Sequence, residues 1–262
     1  MHPLVFRIGK LALYSYSLMV VAAFAASALY VYYEAGRLRE DKERAVDLGI
    51  YVFISAFVGA RLLHILVEWR IYLHDPVRIF KIWEGGLVYY GGFILAILVI
   101  IIYVRKHHLD LKKWADLWAP VAMIALVFGR IGCFLNGCCY GTIAPSWLPW
   151  KVVYPAGTLP PGMDRLPLHP APIYEAAAAG IILAFLIRRS RRKKFEGEIA
   201  WLMIFLYAAA RFFLEFVRAD ERGGIGLLHL STSQLLSIFF FILSGFFLAR
   251  NYLRPAVREP GN

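Results

Sequence analysis

Apolar residues fall into seven long runs, Leu11–Tyr33, Leu48–Trp69, Leu87–Val104, Leu117–Leu135, Ala171–Ile187, Ile199–Val217 and Leu227–Ala249, separated by short charged segments. Each approaches the roughly 20 residues that a helix needs to cross about 30 Å of hydrocarbon. The pattern predicts an all-α integral membrane protein of about seven transmembrane helices, forming a single transmembrane domain over residues 1–262. The longest connection, 136–170, carries Pro145, Pro149, Pro155, Pro160, Pro161, Pro167 and Pro170. It is expected to be a structured cap with little regular helix. No internal repeat is visible.

Composition agrees with that pattern. The chain is 60% hydrophobic and 18% charged, with a mean hydropathy of +0.59, well beyond an ordinary soluble domain. Its net charge of +11 could suggest nucleic acid, but no soluble basic domain exists to carry such binding. The charge sits instead in alternate loops. The connections after spans one, three and five, with the tail, hold 17 basic residues against 9 on the other side. By the positive-inside rule the N-terminus and the 136–170 cap lie outside and the C-terminus in the cytoplasm. The first apolar run is too long for a signal-peptide core and reads as a retained span. Tyr30, Tyr32, Tyr33, Trp69, Trp83, Trp114 and Trp118 are expected to anchor at the membrane interfaces.

Only three basic residues, Arg61, Arg130 and Arg211, lie inside the spans. A charge at bilayer depth costs at least about 2.5–3.5 kcal/mol unless it is paired or faces a watery cavity. Arg211 and Glu215, with Arg218 at the edge, share one helical face, as do Arg61, His64 and Glu68. Internal ion pairs that fix helix packing would account for them. So would a cationic pocket for an anion entering from the lipid, since guanidinium matches phosphate. Three glycine- or proline-rich stretches, Gly85–Gly92, Gly129–Gly141 and His169–Glu175, suggest irregular backbone that turns sharply or approaches a ligand, converging on one site.

These residues resemble the bacterial prolipoprotein diacylglyceryl transferase family almost end to end. The most specific element is Gly129-Arg130-Ile131-Gly132-x-Phe134-x-Asn136-Gly137, followed by Tyr140-Gly141. Leu13–Met19, Gly59-Ala60-Arg61, His169-Pro170 with Tyr174-Glu175, and Tyr207–Arg218 support it in order. The resemblance implies a multi-pass enzyme of the bacterial cytoplasmic (inner) membrane. It would move the diacylglyceryl group of phosphatidylglycerol onto the lipobox cysteine of a preprolipoprotein signal peptide, without a cofactor. It further implies that Arg130 holds the lipid phosphate and that Arg211, oriented by Glu215, stabilises the leaving group. Tyr16, Asn136, Gly132, Gly137 and Gly141 would shape the headgroup site, with Arg61, Tyr174 and Arg218 also contributing to substrate binding. His169 and Glu175 would be supporting or acid–base groups. A related transferase with another acceptor, or a phospholipid-binding or transport protein without chemistry, is the alternative.

Two features depart from the family pattern. Tyr90 stands where well-studied members carry a histidine proposed as general base. With an ordinary pKa near 10, tyrosine is the poorer base at neutral pH, leaving His64, His169 or the substrate phosphate as other proton acceptors. All three cysteines, Cys133, Cys138 and Cys139, fall in the signature. Small polarisable packing residues are the plainest reading. A disulfide from Cys133 to one of the others, or a thiol carrying the lipid transiently, is open. No metal is expected, because only His169 offers itself as a fourth ligand.

Overall fold

The computed structural model describes residues 3–8, 11–81, 86, 88–155, 159, 165–219, 224–225 and 230–253. Trp83, Gly85 and Leu87 lie outside the described residues. The order is a hairpin, β1 (Leu4–Ile8) and β2 (Leu11–Tyr14), then α1 (Ser15–Arg37), α2 (Lys42–Val67), α3 (Trp69–His74) and α4 (Tyr89–Lys106). α5 (Leu111–Asn136) leads through β3 (Val152–Val153) and β4 (Pro167–Leu168) to α6 (Ala171–Ser190). α7 (Glu198–Leu214), the pair β5 (Gly224–Ile225) and β6 (Leu230–Ser231), and α8 (Thr232–Leu253) complete it.

Among the described residues, six helices, α1, α2, α5, α6, α7 (continued to Val217) and α8, are long and apolar enough to cross a membrane. The protein is therefore an all-helical, multi-pass membrane protein. The third predicted span is the 18-residue α4, which ends on Arg105 and Lys106. The first span begins four residues later than the apolar pattern suggests. Leu11–Tyr14 pairs antiparallel with Leu4–Ile8, because four apolar residues serve a strand as well as a helix end.

The chain packs as two compact units, Ala28–Trp114 and Met1–Ser27 with Ala115–Asn262. In the former, α2 and α4 meet through glycine. A Cβ on Gly59 would stand 2.4 Å from the Gly91 carbonyl oxygen, and one on Gly91 would stand 2.2 Å from that of Gly59. Small residues thus bring two backbones together where lipid leaves little hydrophobic drive for association. Trp114 is buried here, not an interfacial anchor: its Nε1 donates to Glu40 at 3.2 Å.

In the latter unit, Ala119, Met123, Ala179, Ile182, Leu186 and Ile199 form the core between α5, α6 and α7. Stacked pairs, Trp201 on Phe247 and Phe205 on Phe241, join α7 to α8. Asp116 of α5 accepts from the backbone N–H groups of Gly197 (2.9 Å) and Ala200 (3.1 Å). It caps the start of α7, where Gly197 (φ 91°) has no side chain to do so. Glu198, fully buried, accepts from Arg189 and from the Tyr252 hydroxyl (2.6 Å).

Candidate active site

The signature Gly129–Asn136 is continuous helix at the end of α5, which corrects the expectation of irregular backbone there. Its glycines act differently. Among the described residues, nothing lies within 4 Å of a Cβ built on Gly129, whereas one on Gly132 would meet Tyr16 Cδ2 at 3.0 Å, so Gly132 lets α1 approach. The turn falls at Gly137 (φ 78°). Cys138 N–H bonds the Cys133 carbonyl at 3.1 Å and Gly137 N–H that of Phe134 at 3.2 Å. This is the paired closure of a Schellman motif, whose left-handed residue favours glycine.

Gly141 lies between two passing backbones. Its N–H donates to the His169 carbonyl at 3.0 Å, and Thr142 N–H donates to Val217 at 2.9 Å. A Cβ at 141 would come within 2.6 Å of the Val217 oxygen and 2.7 Å of the His169 oxygen. The described part of 137–170 is a structured cap containing only the two-residue strands β3 and β4.

That frame assembles an ionic triad. Glu175, on the first turns of α6 and 2% exposed, holds Oε2 2.8 Å from Arg130 Nε in an ion pair that lacks hydrogen-bond alignment. Its Oε1 receives Arg218 Nη1. Two guanidinium groups against one carboxylate leave a formal charge of +1 beside the signature. Beneath it, His169 Nδ1 lies 3.1 Å from the Tyr174 hydroxyl, which also accepts from Trp150 Nε1 at 2.7 Å. Asn136 and Tyr16 are exposed near this region.

Arg211 and Glu215 pair directly on α7 and the turn that follows. Glu215 accepts from the Ser231 hydroxyl at 2.7 Å, and Arg211 Nη2 reaches Ser233 Oγ at 3.4 Å. Ser231 also forms a capping box with Gln234: Ser231 N–H donates to Gln234 Oε1 (2.9 Å) and Gln234 N–H to Ser231 Oγ (3.2 Å). The start of α8 therefore holds Glu215, which holds Arg211. The Ser-x-x-Gln spacing before an apolar run is the sequence signal for this support. Arg211 is 8% exposed, and its buried Nη1 has no hydrogen-bond partner among the described residues. Ala208, Ala209, Phe212 and Phe213 of α7, with Ile238 and Phe241 of α8, line an apolar groove of about 230 Å³ around the preceding turn.

Two expected site residues belong to the other unit. Arg61 directs Nε to the Ile79 carbonyl (3.3 Å), Nη1 to that of Gly86 (3.1 Å) and Nη2 to that of Arg78. It thereby ties down the segment ahead of α4. Tyr90 is 68% exposed on the first turn of α4, and His64 Nδ1 faces the Tyr72 hydroxyl at 2.9 Å.

The cysteines form no disulfide. Their three sulfur atoms lie within 4.8 Å of one another, and His169 is not among them. Cys139 is left-handed (φ 59°). Hydrogen bonds from Cys133 and then Cys138, with Arg130 and Arg218 as weaker contributors, hold its thiol well below the ordinary range.

Fold and site together define a multi-pass membrane protein in which Arg130 and Arg218 converge on Glu175 and a buried Arg211 pairs with Glu215. Comparison with known proteins narrows the class. The family model described as prolipoprotein diacylglyceryl transferase matches residues 3–250. The phosphatidylglycerol–prolipoprotein diacylglyceryl transferase 2 of Clostridium perfringens is 33% identical over 236 residues, 90% of each chain. The corresponding Geobacter sulfurreducens transferase is 33% identical over 247 residues, 92% of each chain, and that of Clostridium tetani 31% over 246, 94% of this chain and 96% of its own. The chain belongs to the prolipoprotein diacylglyceryl transferase family, and it is a transferase.

Proposed function

We propose that the protein transfers the diacylglyceryl group of phosphatidylglycerol to the lipobox cysteine of a preprolipoprotein in the bacterial cytoplasmic membrane. In this reading the chain crosses seven times, α4 included, with its N-terminus outside and its C-terminus inside. The cysteine sulfur bonds to the glyceryl carbon, the carbon–oxygen bond to phosphate breaks, and glycerol phosphate leaves with the electron pair. The thiol proton passes to a base, for which Tyr90 and His169 are the candidates.

The observation that carries this reading is Arg211, a buried guanidinium whose Nη1 has no partner among the described residues. Such a donor, held in a low-dielectric site by Glu215 and Ser233, stabilises charge that develops on a departing phosphate without having to reorganise. Arg130 supplies the second cation, for the lipid phosphate, with Arg218 and Glu175 positioning it. The α7–α8 groove beside Arg211 suits an acyl chain, since it is lined by aromatic and small apolar side chains.

The test uses purified protein, phosphatidylglycerol and a lipobox peptide, following glycerol phosphate release and peptide mass. The peptide should gain one diacylglyceryl group. Arg211→Ala should lower turnover by about 100- to 1,000-fold, as loss of a preorganised anion donor does, while retaining lipid binding. A wild-type protein that binds the lipid but leaves both substrates intact would overturn the reading.

A further inference from the structure

We propose that Cys133, Cys138 and Cys139 form a three-thiolate binding site for a thiophilic d10 metal ion, Zn(II) or Cu(I). The sulfurs come from the last turn of α5, from the residue after its left-handed glycine, and from the left-handed residue beyond. All three lie within 4.8 Å of one another. A metal–thiolate distance of about 2.3 Å requires sulfurs about 3.8–4.0 Å apart in trigonal or tetrahedral geometry. Side-chain adjustment of under about 1 Å from that 4.8 Å limit closes the site.

Three features favour a metal over ordinary packing. A disulfide would use two sulfurs and leave the third aside, whereas here all three approach mutually. Cys139 holds a left-handed backbone conformation (φ 59°) that is unfavourable for a residue with a Cβ and that glycine adopts freely. Its conformation carries the third sulfur to the other two. The surroundings also balance the charge. Arg130 and Arg218 against Glu175 leave +1, which offsets the −1 of a zinc ion bound by three thiolates. Soft thiolate sets without oxygen ligands select Zn(II) and Cu(I) over hard cations.

The experiment uses full-length protein in detergent, reduced, stripped with a chelator and kept anaerobic. Co(II), as a spectroscopic stand-in for Zn(II), and Cu(I) are titrated separately against a competing chelator. One ion per chain is expected, with sulfur-to-metal charge-transfer absorption for Co(II). Cys133→Ser, Cys138→Ser and Cys139→Ser should each weaken binding at least as much as the roughly 100-fold that loss of a mere outer-shell partner can cost. Bound metal should also protect all three thiols of the wild-type protein from alkylation together, a readout independent of how the variants fold. Undiminished affinity in any of the single variants, metal that protects fewer than three thiols, or two cysteines isolated as a disulfide that resists reduction would overturn the proposal. Because binding is read without turnover, its failure is separable from failure of the transferase reading.

Discussion

Replacing Glu175 with Gln should unfold the protein far more readily than its conservative shape suggests. The carboxylate is 2% exposed and serves Arg130 from α5 and Arg218 from the turn after α7. Gln keeps the volume and a carbonyl acceptor but removes the negative charge that both guanidinium groups face. Removing one partner of a buried pair costs about 3–5 kcal/mol, because the remaining charge stays desolvated and uncompensated. At about 1.4 kcal/mol per tenfold, that is a loss of at least about 100-fold in the folding equilibrium. Equilibrium unfolding in mixed micelles, titrated with SDS and followed by tryptophan fluorescence and helical circular dichroism, measures it. Pairing Glu175→Gln with Arg218→Gln removes one stranded charge and should recover part of the loss, a positive coupling in a double-mutant cycle. A loss below about 1 kcal/mol for Glu175→Gln alone, the range of an exposed pair, would refute the reasoning.

Gly91→Val places side-chain atoms where a Cβ already stands 2.2 Å from the Gly59 carbonyl oxygen. It should cost about 1–3 kcal/mol or more by overpacking, read as a lowered unfolding midpoint in the same micelles. Asp116→Ala removes the acceptor for Gly197 and Ala200 N–H and for Lys193. A loss of about 1–3 kcal/mol is expected, with amide exchange fastest at the first turn of α7. Burial opposes the charge on Lys193, but hydrogen bonds to Glu196 and Asp116 outweigh it and raise its pKa above 10.5. Its contribution to stability is therefore full below 10.5 and lost as pH rises through the higher folded value. Unfolding measured across that alkaline window should show a drop that Lys193→Met lacks.

Much of this architecture is legible along the chain, because lipid forces each span to satisfy its own backbone and to be apolar over a fixed length. The Arg211–Glu215 pair is legible too, since a spacing of four puts both on one helical face. The ionic triad is not. Arg130 and Glu175 are 45 residues apart and no local periodicity connects them, so only packing reveals that one carboxylate serves two arginines. Glycine misleads for a related reason. The same residue type permits tight helix contact at Gly59 and Gly132, a left-handed turn at Gly137 and backbone crossing at Gly141. Composition registers only that side chains are missing. Trp114 shows the same limit: an indole near a helix start suits a membrane interface, but Glu40 offers its N–H a partner 74 positions away.

The stitch through Gly141 and Thr142 has a mechanical meaning. Segment 141–142 bonds to His169 just ahead of α6 and to Val217 just past α7, while Arg130 and Arg218 reach Glu175 from either side. Tilting any one of these three helix ends away from the others would break several hydrogen bonds worth about 1 kcal/mol each, together with the buried triad. Those three ends consequently travel as one rigid plate. Any breathing that admits a bulky two-tailed lipid must be borne elsewhere in the molecule, away from these three ends.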